Sequence, residues 1–235
     1  MRHAGKTALL DHLVIAARTL DEGVQWCEAT LGVTPGPGGL HPLMGTHNRL
    51  LKVASLAFPL SYLEIIAIDP DRRPTRTGKL HRWFDLDDPM LQLALSRGGP
   101  QLVHLVARVP NAAATVHALA HMATHIDRGH LIEASRDTPA GRLDWRITVR
   151  DDGQRLFYGA LPTLIQWGAV HPVDTMPDAG LELIGLAASH PRVDSLRSAL
   201  EAIGFDAMAL QQGPPNLTAT LNTPRGVVTL ESKGH

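Results

Sequence analysis

Cysteine is nearly missing from this chain of 235 residues. Cys27 stands alone, so no internal disulfide can form, and a reducing cytoplasm is the expected location. Aromatic residues make up only 4%, so the core is expected to be aliphatic and rich in alanine. Neither sign of charge dominates, with 22 basic against 23 acidic residues. Such a balance offers no basic face for nucleic acid and no Lys/Arg cluster for anionic lipid, so neither partner is expected. Long hydrophobic runs are missing too. The opening MRHAGKTALL meets Asp11 and His12 before it can form a signal-peptide core, and no later stretch approaches transmembrane length.

What the chain does have is repetition. DHLVIAARTLDEGVQWCEATLGV reads as a strand from His12 to Ala17 followed by a helix. Thr19 can cap that helix with Glu22 completing a capping box, and Gly32 stops it. Leu20, Val24, Cys27 and Leu31 fall on one helix face. Strand candidates NRLLKVAS and SYLEIIAI follow. The pattern returns at QLVHLVARVPNAAATVHALAHMA, whose helix is expected to bury Ala112, Val116, Leu119 and Ala123; LDWRITVRD and LPTLIQWGA follow as strands. A third copy starts at LELIGLAASHPRVDSLRSALEAIGF. The fold class expected is therefore α+β: paired βαβββ modules forming a curved mixed sheet around a cavity, plus a shorter βαββ unit. The expected boundaries are 1–68 for the first module, 101–170 for the second and 178–235 for the third unit. Segment 69–100 is expected to link the modules and to fold over a pocket mouth as a lid.

Aligning the units brings polar residues into register. His12, His104 and Glu182 share a place in the first strands; Glu64, Gln166 and Glu231 share one in the last. Strand alternation puts His12, Val14 and Ala16 on one face and Leu13, Ile15 and Ala17 beneath the helix. The His/Glu face then lines the concave interior. Charged and polar groups in such a place need pairing or coordination. Two readings follow: a divalent-metal shell from His12, Glu64, His104 and Gln166, with zinc, iron, nickel or manganese equally suited, or a buried hydrogen-bonded cluster.

The βαβββ units with His on the first strand and Glu on the last resemble the vicinal oxygen chelate superfamily. DHLVIAARTLDEGVQWCEATLGV with GGLHPLMGTHNRLL and SYLEIIAIDP is similar to its glyoxalase-like domain branch, where a GG-x-H-x3-GT-x-N loop leads into a YLE strand. The likeness covers roughly residues 10–170. It implies metal ligands at His12, Glu64, His104 and Gln166, although glutamine stands where the family usually has glutamate. It also implies a metal-dependent enzyme of lyase or isomerase type, with Zn, Ni, Mn or Fe stabilising an enediolate on a small vicinal-oxygen substrate. No nucleotide cofactor is expected, and a homodimer is. A metal-free binding or resistance protein and an Fe(II) extradiol-type dioxygenase are the alternatives. Glu64 doubles as the candidate base. The GGLHPLMGTHN loop, with glycines at 38, 39 and 45, is read as a pocket wall offering His41, Thr46 and Asn48 to a ligand, His41 also in a catalytic role. Tyr62 and Trp83 complete the expected substrate contacts. His117, His121 and His125 recur every four residues but lie off the apolar helix face, so they are read as a solvated stripe.

Overall fold

A computed structural model describes residues 8–76, 78, 80–138 and 141–234. The first module is β1 (Leu9–Ala16), α1 (Leu20–Leu31), β2 (Leu40–His41), β3 (Thr46–Lys52) and β4 (Tyr62–Ile68). After α2 (Pro89–Gly98), the second module repeats the order: β5 (Gln101–Arg108), α3 (Ala112–Ala120), β6 (His130–Thr138), β7 (Gly141–Val149) and β8 (Thr163–Trp167). Together they form one eight-stranded sheet in the order β2-β3-β4-β1-β5-β8-β7-β6. The modules meet along the antiparallel β1–β5 pair, with Val14 opposite His104. The third unit is β9 (Glu182–His190), α4 (Val193–Ile203), β10 (Ala209–Gln212), β11 (Asn216–Thr223) and β12 (Gly226–Glu231). Its strands make a separate four-stranded sheet. This unit carries a short strand, β10, beyond the βαββ expected, and it does not extend the first sheet.

Local signals explain most element ends. The Thr19 hydroxyl accepts the Glu22 amide at the start of α1, and Gly32 closes the helix in the left-handed region. The Glu22 carboxylate turns instead to Arg18, so the capping box is only half made. Helix α3 stops at Ala120, earlier than expected, and Ala123 lies exposed beyond it. His117, His121 and His125 are exposed, as the off-face reading required.

Two apolar layers sit on the two sheet faces. Leu13, Ile15, Leu63 and Ile65 pack beneath the helices, in a core continuous with that of the third unit. Val14, Ala16, Ile66 and Val106 face the concave side, as strand alternation dictates, and Val103 joins them where the β1–β5 register shifts. Segment 69–100 departs from the lid expected of it. Phe84, Leu86, Leu91 and Leu95 are buried within the concave layer, so this segment fills the hollow of the curved sheet. An aliphatic chain poor in aromatics cannot fill so wide a hollow with strand side chains alone, and the linker supplies the missing volume. Among the described residues a small chamber stays open on this side of Phe84.

Candidate functional site

The chamber has a volume of about 50 Å³ and is walled by, among others, His12, His41, Asn48, Tyr62, Glu64 and Trp83. These come from β1, β2, β3, β4 and the linker. His12 is placed by the parallel β1–β4 pairing, which sets it opposite Tyr62; the two rings stack with centroids 4.6 Å apart. Glu64, two residues on, shares that face.

A bulge in β1 adds the decisive neighbour. The register with β5 shifts between Leu10 and His12, leaving Asp11 as the extra residue. In a regular strand Asp11 would point away from His12; the bulge lets the two side chains meet. Asp11 is fully buried, and its Oδ1 lies 2.7 Å from His12 Nδ1. Its Oδ2 accepts from Trp167 Nε1 at 2.8 Å and from His171 Nε2 at 3.0 Å. Burial alone would raise the Asp11 carboxyl, but these hydrogen bonds and the neighbouring imidazoles outweigh it and hold the carboxyl far below its usual range.

His12 Nε2 faces Glu64 Oε2 at 3.5 Å. Burial opposes the charge on His12, yet the flanking Asp11 and Glu64 carboxylates push its pKa up to about 9. Glu64 is likewise held down: burial would raise it, and the His12 and Asn48 contacts prevail. The pair is therefore imidazolium and carboxylate at neutral pH.

Asn48 Nδ2 donates to Glu64 Oε1 at 2.6 Å and lies 3.4 Å from His41 Nε2, while its Oδ1 accepts the Gly39 amide at 2.7 Å. That amide fixes which way the Asn48 side chain points. His41 Nδ1 lies 3.1 Å from the Thr46 hydroxyl, and burial pushes the His41 pKa down to about 4. A chain of contacts thus runs from Thr46 through His41, Asn48, Glu64 and His12 to Asp11.

The GGLHPLMGTHN loop answers to this chain. Gly45 closes the turn with φ of 58°, where a side chain would be strained and would press on Arg72 and Pro74. Gly39 serves space, not backbone freedom: a Cβ there would lie 1.6 Å from Arg136 Nη1. Gly38 likewise clears room for Asn48. Thr46 is fully buried behind His41, so its hydroxyl orients that ring and does not form chamber wall.

The expected metal shell does not converge. His104 faces the concave side, but its Nδ1 donates to Gly159 O at 2.8 Å and its Nε2 accepts the Thr163 amide at 3.2 Å. Burial, with Arg128 and Arg155 nearby, pushes His104 well below its ordinary value. Both ring nitrogens are used, and the Phe84 ring packs 5.3 Å away, at the chamber wall. Gln166 turns to the helix side, where its Oε1 accepts the Ala112 amide at 2.9 Å; its neighbours Ile165 and Trp167 take the chamber face. The physical reason is the phase of β8, where alternation exposes the residues flanking Gln166. Among the described residues no group of three or more His, Cys, Asp or Glu side chains is placed to hold a metal ion. The donor set present does not fit the four-ligand centre.

Sequence reasoning missed Asp11, Trp167 and His171. An acid directly before the strand histidine was the available signal for the first. Nothing local marks the others, which arrive from residues remote in the chain.

The comparisons with known proteins agree with this architecture. A family model described as a glyoxalase-like domain matches residues 10–204. The chain belongs to the glyoxalase-like domain family. The resemblance to the vicinal oxygen chelate superfamily read from β1, the GG-x-H loop and the YLE strand is thereby borne out. Among solved structures, a hypothetical protein from Staphylococcus aureus shares the fold at 12% identity, covering 95% of this chain and 84% of that one with a TM-score of 0.56. Streptomyces coelicolor methylmalonyl-CoA epimerase in complex with 2-nitronate-propionyl-CoA is similar at 17% identity over 70% of this chain and 98% of its own, with a TM-score of 0.43. The epimerase from Mycobacterium tuberculosis matches at 17% identity over 71% and 91% of the two chains, with a TM-score of 0.39. No curated protein matches the sequence. No helix among the described residues is long and apolar enough to cross a membrane.

Proposed function

We propose that this glyoxalase-like protein is an isomerase- or lyase-type enzyme that moves a proton on a carbon next to a carbonyl, using Glu64 and His12. The observation that carries the reading is the Nε2–Oε2 separation of 3.5 Å between two buried, oppositely charged groups facing one chamber. At that distance the pair is loose by hydrogen-bond standards, so a substrate oxygen can take over the His12 N–H. Glu64 then loses the partner that held its pKa down and becomes a stronger base where the substrate sits.

In the proposed step, Glu64 Oε2 takes the proton from the α-carbon. The C–H electron pair moves into the new C=C bond, and the carbonyl oxygen becomes an oxyanion held by His12 Nε2–H. With an α-hydroxyketone the α-hydroxyl proton then moves to that oxyanion, and as Glu64 returns the carbon-derived proton to the former carbonyl carbon the α-carbon's oxygen becomes the new carbonyl, which completes an isomerisation. Asp11 keeps His12 charged and fixed, and so acts as a positioning residue. His41, neutral and committed to Thr46 and Asn48, orients the Asn48 amide against Glu64 and is not the base. Trp83 lines the chamber and carries an indole N–H without a partner among the described residues, which suits a second substrate oxygen. Tyr62 supports the His12 ring by stacking.

A metal-dependent version gains no support from His104 and Gln166, and neither does a two-His-one-carboxylate oxygenase, because His104 has no free nitrogen. The test is solvent exchange. Wild-type protein is incubated in D2O with a panel of 2-oxoacids and α-hydroxyketones, and α-deuterium is read by NMR. Exchange with at least one compound, lost in Glu64→Gln, is expected; exchange that Glu64→Gln leaves unchanged, or none across the panel, overturns the reading.

A further inference from the structure

A chamber of about 50 Å³ admits only the reacting atoms of a substrate, so the rest of the molecule must lie elsewhere. Next to it lies a groove of about 640 Å³, a size usual for ligand pockets. Leu50, Arg136, Leu143 and Pro172 line both spaces, so the two join. Beyond the junction the groove wall includes Val33, Leu51 and Met176.

Arg136 stands at this junction. It lies on β6, paired with Leu143 of β7, and is half-buried. Among the described residues it forms no salt bridge. Its guanidinium lies over Gly39, in space that any other residue there would fill. The same glycine holds Asn48 through its amide, so one backbone position serves both the proton-transfer chain and the cation beside it. A half-buried guanidinium with no carboxylate in salt-bridge contact among the described residues, at the neck between the chamber that holds Glu64 and a mostly apolar groove that also carries Lys52, Asp137 and Asp178, is placed to pair with an incoming acid.

We infer that Arg136 anchors a carboxylate of the substrate, whose oxygenated carbons enter the chamber while its aliphatic chain lies in the groove. The substrate class is a medium-chain α-oxygenated carboxylate. This rests on the proposed acid–base reading for the reacting end only. A guanidinium pairs with a planar carboxylate through two parallel N–H donors, a geometry that lysine does not reproduce.

Binding of 2-oxooctanoate and of its methyl ester to wild type, Arg136→Lys and Arg136→Met is measured by isothermal titration. The acid is expected to bind wild type about tenfold or more tightly than the ester. Arg136→Met should bring the acid down to the level of the ester and leave the ester unchanged, with Arg136→Lys between. Affinity should rise roughly two- to fourfold per methylene from pyruvate to 2-oxooctanoate. Equal binding of acid and ester, an equal loss for both in Arg136→Met, or no binding of the acid overturns the inference. Arg136-dependent binding without deuterium exchange would instead sink the acid–base reading and leave this one standing. A thermal melt matching wild type shows that each variant folds.

Discussion

Replacing Asp11 by asparagine removes one charge from the most enclosed part of the site and leaves its shape. In the folded protein His12 titrates near 9 instead of its ordinary 6.5. The two values differ enough for about 3 kcal/mol of stability, taking about 1.4 kcal/mol per unit. The sign follows from linkage. A histidine whose folded value is raised contributes fully below the unfolded value, and the contribution fades as pH climbs through the folded value. Wild type should therefore lose about 3 kcal/mol from this group between pH 6 and pH 9.5. In Asp11→Asn the asparagine carries no charge, Glu64 alone opposes burial, and the His12 pKa falls back toward its ordinary value. Urea unfolding of both proteins at the two pH values, carried out in a His171→Gln background so that the other imidazole bonded to Asp11 is removed, gives the double difference. A wild-type loss exceeding that of the variant by about 2–3 kcal/mol is the expected result. Parallel losses would refute the claim that Asp11 keeps His12 charged.

Glu64→Gln keeps the Asn48 contact but removes the base, so proton exchange on any active substrate should fall by about two to four orders of magnitude under conditions where circular dichroism shows the variant folded. Titration with Zn²⁺ or Ni²⁺ should give the same isotherm for wild type, His104→Ala and Gln166→Ala; a stoichiometric site lost in His104→Ala would restore the four-ligand centre. Phe84→Ala, which empties a buried ring between the chamber and His104, should cost about 3–5 kcal/mol by chemical denaturation. Gly39→Ala displaces the Arg136 guanidinium, so it should weaken 2-oxooctanoate binding and spare the methyl ester.

The sequence carried the frame of this protein because the frame is periodic. Two βαβββ units and the split of β1 into a His12/Val14/Ala16 face and a Leu13/Ile15/Ala17 face follow from spacing alone. His12 and Glu64 were legible for the same reason, since each occupies an inward position of its strand, while Asn48 was read from the glycine-rich loop. Gln166 was not. A matched place in an alignment says nothing about the phase of β8, and one residue of phase decides between chamber and helix. His104 shows a different limit: it does face inward, but its ring is claimed by Gly159 and Thr163, which stand more than fifty positions along the chain. The bulge at Asp11 breaks the period from which the faces were read, so the residue that charges His12 was invisible to that argument. Linker residues such as Phe84 and Leu86 fill the hollow for reasons of volume, which a local pattern does not express.

The two modules hold equivalent histidines in opposite states: His12 charged between two carboxylates, His104 neutral with its proton on Nδ1. A long-range ¹H–¹⁵N spectrum of the imidazoles at pH 7.5, assigned with His12→Gln and His104→Gln, reads both at once. The account predicts imidazolium shifts for His12 and those of the Nδ1–H tautomer for His104. A neutral His12, or two rings with the same shifts, would contradict it.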